Sequence, residues 1–106
     1  MPTETDPIFH ERRKFRRFPV ALKLVYRLRS GGSGTGETAN ISSGGVLFRC
    51  DTVVPVGHLI EVDLKWPYLL DDRQPLLLRL YGMTLRSGEA GTAMSSSKHE
   101  YRLAGI

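Results

Sequence analysis

Apolar and polar side chains alternate from residue 20 to residue 29. Val20, Leu22, Leu24, Tyr26 and Leu28 fall on one face, and Ala21, Lys23, Val25, Arg27 and Arg29 on the other. Period two marks a half-buried strand, because successive side chains leave the pleat on opposite sides. Pro19 biases Phe18 towards extended geometry, so the strand is entered directly from the preceding residues. Four glycines between Ser30 and Gly36 predict an antiparallel return through a flexible loop. A short strand over 37–41 follows, and Ser42, Ser43, Gly44 and Gly45 interrupt it as a turn. The chain continues extended over 46–50, with Val46, Phe48 and Cys50 on one face. Pro55, Val56, Gly57 and His58 read as the next turn. Residues 59–66 place Ile60, Val62, Leu64 and Trp66 inward and Glu61, Asp63 and Lys65 outward, and Pro67 ends the strand. A loop over 68–75 carries the acidic pair Asp71 and Asp72. The segment 76–85 is extended, with Leu76, Leu78 and Leu80 on one face and Gly82 predicting a bulge or sharp bend. A turn over 86–91 leads to a last pair of strands, 92–94 and 101–106, around a polar loop at 95–100.

Strands at this spacing with no amphipathic helix predict an all-β domain. A barrel is favoured over a sandwich, because closure removes exposed edges. A chain of 106 residues is enough for one domain. Residues 1–11, with two prolines among polar residues, read as a flexible N-terminal arm in which Ile8 and Phe9 offer weak anchors; residues 12–106 are the barrel domain. Ile106 falls inside a strand pattern, so the natural end of the domain is expected beyond it. The single cysteine, Cys50, excludes an internal disulfide and fits a reducing compartment. No secretory signal is expected, nor an apolar run long enough to span a bilayer, so the location expected is the cytoplasm.

The net charge of +4 is concentrated at one place. Arg12, Arg13, Lys14, Phe15, Arg16 and Arg17 hold four arginines and one lysine in six positions. Guanidinium groups grip phosphate through two parallel bonds, stack on bases and pair with guanine edges, whereas lysine offers a point charge. Taken alone, the run fits a specific anion site and a nucleic-acid or membrane-touching arm equally well. The turn beginning at Asn40 supplies complementary groups: an amide that donates and accepts, the Ser42 hydroxyl, and two glycines that permit positive φ and close backbone approach. Taken alone, it reads better as an Asx or serine turn without a ligand. Other chemistry is poorly supplied. His10, His58 and His99 lie far apart with no second ligand at metal-binding spacing. Ser42 and Ser43 lack a nucleophile elbow, Cys50 reads as a packed thiol, and Asp71 and Asp72 point apart on an extended chain. The glycine loop lacks the Lys-Ser/Thr of a phosphate loop. No enzyme activity, metal or cofactor is therefore expected. A nucleic-acid-binding barrel is also disfavoured, since Phe15 and Phe18 lie only in the arm and no aromatics are interleaved on a sheet face.

Together, the two stretches resemble the PilZ family, bacterial receptor domains for cyclic di-GMP. The family motif is Arg-x-x-x-Arg followed by Asp/Asn-x-Ser-x-x-Gly. Arg13 and Arg17 match the first half, and Asn40, Ser42 and Gly45 match the second, which begins 23 residues after Arg17. The resemblance implies an all-β fold, a six-stranded antiparallel PilZ-type barrel with the arginine segment as a flexible N-terminal latch. It implies that Arg13 and Arg17 contact guanine and phosphate while Asn40, Ser42 and Gly45 hold the other guanine and its ribose-phosphate. Arg12, directly before the motif, is similar to members that take two stacked nucleotides in one site. A downstream protein partner or fused domain is implied as well. Asparagine stands where aspartate is frequent, and the family's common C-terminal helix is missing. The alternatives are a PilZ-like interaction module that does not bind the nucleotide and the basic nucleic-acid-binding barrel.

Overall fold

The computed structural model describes residues 20–104, so the arm and the arginine run lie outside the described residues. Six strands follow one another: β1 (Lys23–Leu28), β2 (Ser33–Ser42), β3 (Gly45–Cys50), β4 (Leu59–Lys65), β5 (Leu76–Gly88) and β6 (Gly91–Leu103). They close into an antiparallel barrel in the order β1-β2-β3-β6-β5-β4, with β4 returning to β1. The expected six-stranded all-β barrel is what the chain forms.

The inward faces are those predicted by the alternation, except at the entry, where Val20 lies ahead of β1 and is exposed. Leu24 and Tyr26, Val46 and Phe48, Ile60, Val62 and Leu64, and Leu78 and Leu80 are buried, with Met94 from β6 and Val54 from the β3–β4 loop. The Tyr26 and Phe48 rings meet at 5.9 Å in the centre. Cys50 and Trp66 pack against this core from its margin.

The strand boundaries differ where glycine and polar residues dominate. β2 begins at Ser33, inside the stretch expected to be a loop. The Tyr26 ring explains this: a Cβ at Gly34 would lie 2.7 Å from its hydroxyl, so the missing side chain makes room for the ring. The turn expected over 86–91 shrinks to Glu89 and Ala90, and β6 runs unbroken through the polar segment expected to be a loop. That segment is held by pairing along the length of β5, from Leu76↔Leu103 to Gly88↔Gly91, rather than by its own hydrophobicity. The irregularity expected at Gly82 is present, but the extra residue is Ser97 of the partner strand. Gly82 itself is required because a Cβ there would collide with the Ser95 carbonyl oxygen. Closure is also partial: β3 pairs with β6 only from Thr92 to Ser95, so the far half of β6 bonds to β5 alone. Asp71 and Asp72 adopt left-handed φ of 53° and 58°, a conformation aspartate tolerates in tight turns, and so shape the loop after β4.

One charged network sits on the outer face of β1, β4 and β5. Asp63 is only 7% exposed although it points outward. Arg27 donates to its Oδ2 at 2.9 Å, and Arg79 donates to Oδ1 at 2.7 Å and Oδ2 at 3.0 Å. Glu61 bridges both arginines at 3.4 and 3.0 Å. Burial raises the Asp63 pKa, but the hydrogen bonds from Arg79 and Arg27 outweigh it and leave the carboxyl below its ordinary value. The Asp63 hydrogen bond in turn raises the pKa of Arg79.

Candidate functional site

The second motif lies at the tip of the β2–β3 hairpin. Ser42 and Gly45 face each other across a two-residue connection made by Ser43 and Gly44. The Ser42 hydroxyl oxygen accepts the Gly44 N–H at 3.2 Å, and its O–H lies 3.4 Å from the Gly45 carbonyl oxygen. The Gly44 carbonyl accepts from the Ser96 N–H at 2.9 Å, tying the tip to β6. The left-handed glycines among the described residues are Gly31, Gly32, Gly57 and Gly91, so the positive φ expected at Gly44 and Gly45 is not used. Close approach is what Gly45 provides: a Cβ there would run into the Met94 carbonyl oxygen on β6.

The direction in which the motif points depends on a bulge. Thr38 is buried at 3% exposure, opposite Phe48, and Ile41 packs against the core opposite Val46. Two inward residues three apart cannot share a face of a regular strand, where the period is two. The register shift between Thr38 and Asn40 inserts Ala39 as an unpaired residue. The phase flips, and Asn40 and Ser42 face outward together. Following the register around the barrel gives two lateral rows on this outer face. One runs Asn40, Leu47, Ala93, Arg86, and the other Ser42, Gly45, Ser95, Met83. The floor between the rows' ends is small or apolar.

Thr38 also fastens the chain's entry. Its hydroxyl accepts the Leu22 N–H at 2.8 Å and donates to the Val20 carbonyl. The Thr38 N–H donates to the Leu22 carbonyl at 2.9 Å. The segment leading out of the arginine run is thereby pinned two residues from Asn40 on the same strand. Arg12, Arg13 and Arg17 themselves lie outside the described residues. Thr38, Arg49 and Arg86 were not found by motif. Arg49, opposite Glu37 on β3, borders a groove of about 830 Å³ lined also by Lys23, Val25 and Thr35, one row away from Asn40. Register between strands brings Arg49 and Arg86 to the motif, whereas Thr38 stands two residues before Asn40 on the same strand.

The family model for the PilZ domain matches residues 11–90, a span that includes the arginine run, the hairpin tip and both rows' β5 positions. The chain belongs to the PilZ family. PilZ domains are in general receptors for cyclic di-GMP, binding modules rather than catalysts. The comparison with curated proteins gave no match. Among the described residues of this PilZ domain, no three His, Cys, Asp or Glu side chains converge as a metal ion would need. No helix among them is long and apolar enough to cross a membrane.

Proposed function

We propose that this PilZ domain binds cyclic di-GMP on the outer face around Asn40, Ser42 and Gly45, with Arg13 and Arg17 as its guanidinium contacts. The observation that carries the reading is the Thr38 anchor. It fixes Val20, three residues after Arg17, beside the strand that bears Asn40 and Ser42. Three residues span at most about 10 Å, a chain length that supports contact between Arg17 and a ligand on the outward amide and hydroxyl. The Asn40 amide matches a guanine edge, which presents both donors and acceptors. The guanidinium groups match the phosphates, and each charge-assisted bond to a desolvated anion contributes about 1.5–3 kcal/mol. Arg12 adds a further guanidinium, and two stacked nucleotides occupy the site.

The domain acts as a cytoplasmic receptor without a cofactor or chemical step. Ligand binding orders the arginine segment over the barrel and changes the surface offered to a partner or fused domain. Titration calorimetry with cyclic di-GMP, beside GMP and single-stranded DNA, tests the reading and gives the stoichiometry. Arg17→Ala should weaken cyclic di-GMP binding at least tenfold. Equal binding of single-stranded DNA, or an unchanged Arg17→Ala affinity, would overturn it.

A further inference from the structure

We infer that Arg86 forms the far wall of the ligand site and contacts the half of the cyclic dinucleotide most distant from Asn40. The inference rests on the cyclic di-GMP reading and extends it to a residue outside both sequence motifs. Arg86 lies in β5, yet register connects it to the motif: Asn40 faces Leu47, Leu47 faces Ala93, and Ala93 faces Arg86. Three strand spacings of about 4.8 Å put the two ends of this row about 14 Å apart, a width that suits a dinucleotide lying flat. Leu47 and Ala93 between them, with Gly45 beside them, leave a low floor on which a purine face can rest.

A second observation points the same way. Thr84 is buried at 1% exposure and opposes Met94 inside the barrel. On a regular strand Arg86, two residues later, would also point inward. The register shift between Thr84 and Arg86 inserts Leu85 and turns Arg86 outward, opposite Ala93. Asn40 is turned out by the same device, a bulge directly after a buried threonine. Two bulges thus aim the two ends of one row at the same solvent face, and bulges commonly re-aim side chains beside binding sites. Arg86 is exposed, and no ion pair or side-chain hydrogen bond engages it among the described residues. Its guanidinium is available for a phosphate or for stacking on guanine.

The test is calorimetric titration of the full chain with cyclic di-GMP, comparing wild type, Arg86→Ala, Arg86→Lys and Arg73→Ala. Arg73 is an exposed arginine in the β4–β5 loop, away from the row, and controls for net charge. Arg86→Ala should weaken binding at least tenfold, Arg86→Lys by less, and Arg73→Ala not measurably, with circular-dichroism melting curves unchanged. Wild-type binding with Arg86→Ala behaving like Arg73→Ala overturns this inference alone. No wild-type binding overturns both it and the reading on which it rests.

Discussion

Replacing Thr38 by valine keeps the shape and β preference of the side chain and removes its hydroxyl. Two hydrogen bonds disappear, from the Leu22 N–H and to the Val20 carbonyl, while the backbone bond from Thr38 N–H to the Leu22 carbonyl remains. At about 1 kcal/mol net per bond, Thr38→Val should lower global stability by about 2 kcal/mol. The larger consequence is local. Residues 20–22 are freed to fray, and the binding reaction must re-order them. Fixing one residue's backbone costs about 1–2 kcal/mol, and the surviving bond holds part of the segment, so binding should lose about 1 kcal/mol, or about fivefold in Kd. Amide exchange by NMR and calorimetry with cyclic di-GMP measure the two effects on one sample. The Leu22 amide should exchange faster in the variant while core amides such as Val62 stay protected. In an Arg17→Ala background the same substitution should cost almost no further affinity, because it acts through the arm. Fast Leu22 exchange together with wild-type affinity would refute the role of Thr38 in positioning the arm.

Other perturbations address the barrel and the latch. Asp63→Asn removes the carboxylate shared by Arg27 and Arg79 and should cost about 2 kcal/mol at neutral pH, with Arg27 contributing little because its side chain is 38% exposed. The folded-state pKa of Asp63 is depressed, so its contribution is present above the unfolded value of about 3.9 and lost as pH falls through the folded value. Urea titrations should therefore show a constant wild-type advantage from pH 5 to 8 that closes in acid; an equal gap at pH about 2 would mean the charge is not its source. Gly45→Ala should cost about 1–3 kcal/mol through collision with the Met94 carbonyl, read as a lowered Tm, and should weaken ligand binding as the hairpin tip shifts from β6. Hydrogen exchange over residues 8–18 should slow on addition of cyclic di-GMP; unchanged rates at saturation would rule out ordering of the arginine segment.

Long alternating segments were readable because each carries its own pattern. Ile60, Val62, Leu64 and Leu78, Leu80 are inward in the barrel as the period requires. The second motif was readable by residue type, yet the reason for its glycine was not. Gly45 serves a contact with β6, and that neighbour is some 50 residues away in the chain, invisible to any local pattern. Residues 95–100 gave no strand signal because their side chains are mostly polar, and their strand is imposed by β5. Asp63 looked like an ordinary outward carboxylate, and only two arginines from other strands bury it.

The amino-acid sequence by itself determined the all-β class, the inward faces of the alternating segments, the family and the chemical character of the two motif stretches. These depend on residue type and short-range spacing, which the chain carries wherever it goes. The tertiary structure alone decided which way the motif points and what stands around it. Phase along a strand is reset by a single unpaired residue, and whether Ala39 or Leu85 is that residue is settled by the partner strand. The Thr38 anchor and the row from Asn40 to Arg86 exist only once pairing has fixed the register, because hydrogen bonding between distant strands, and not local preference, brings those residues side by side.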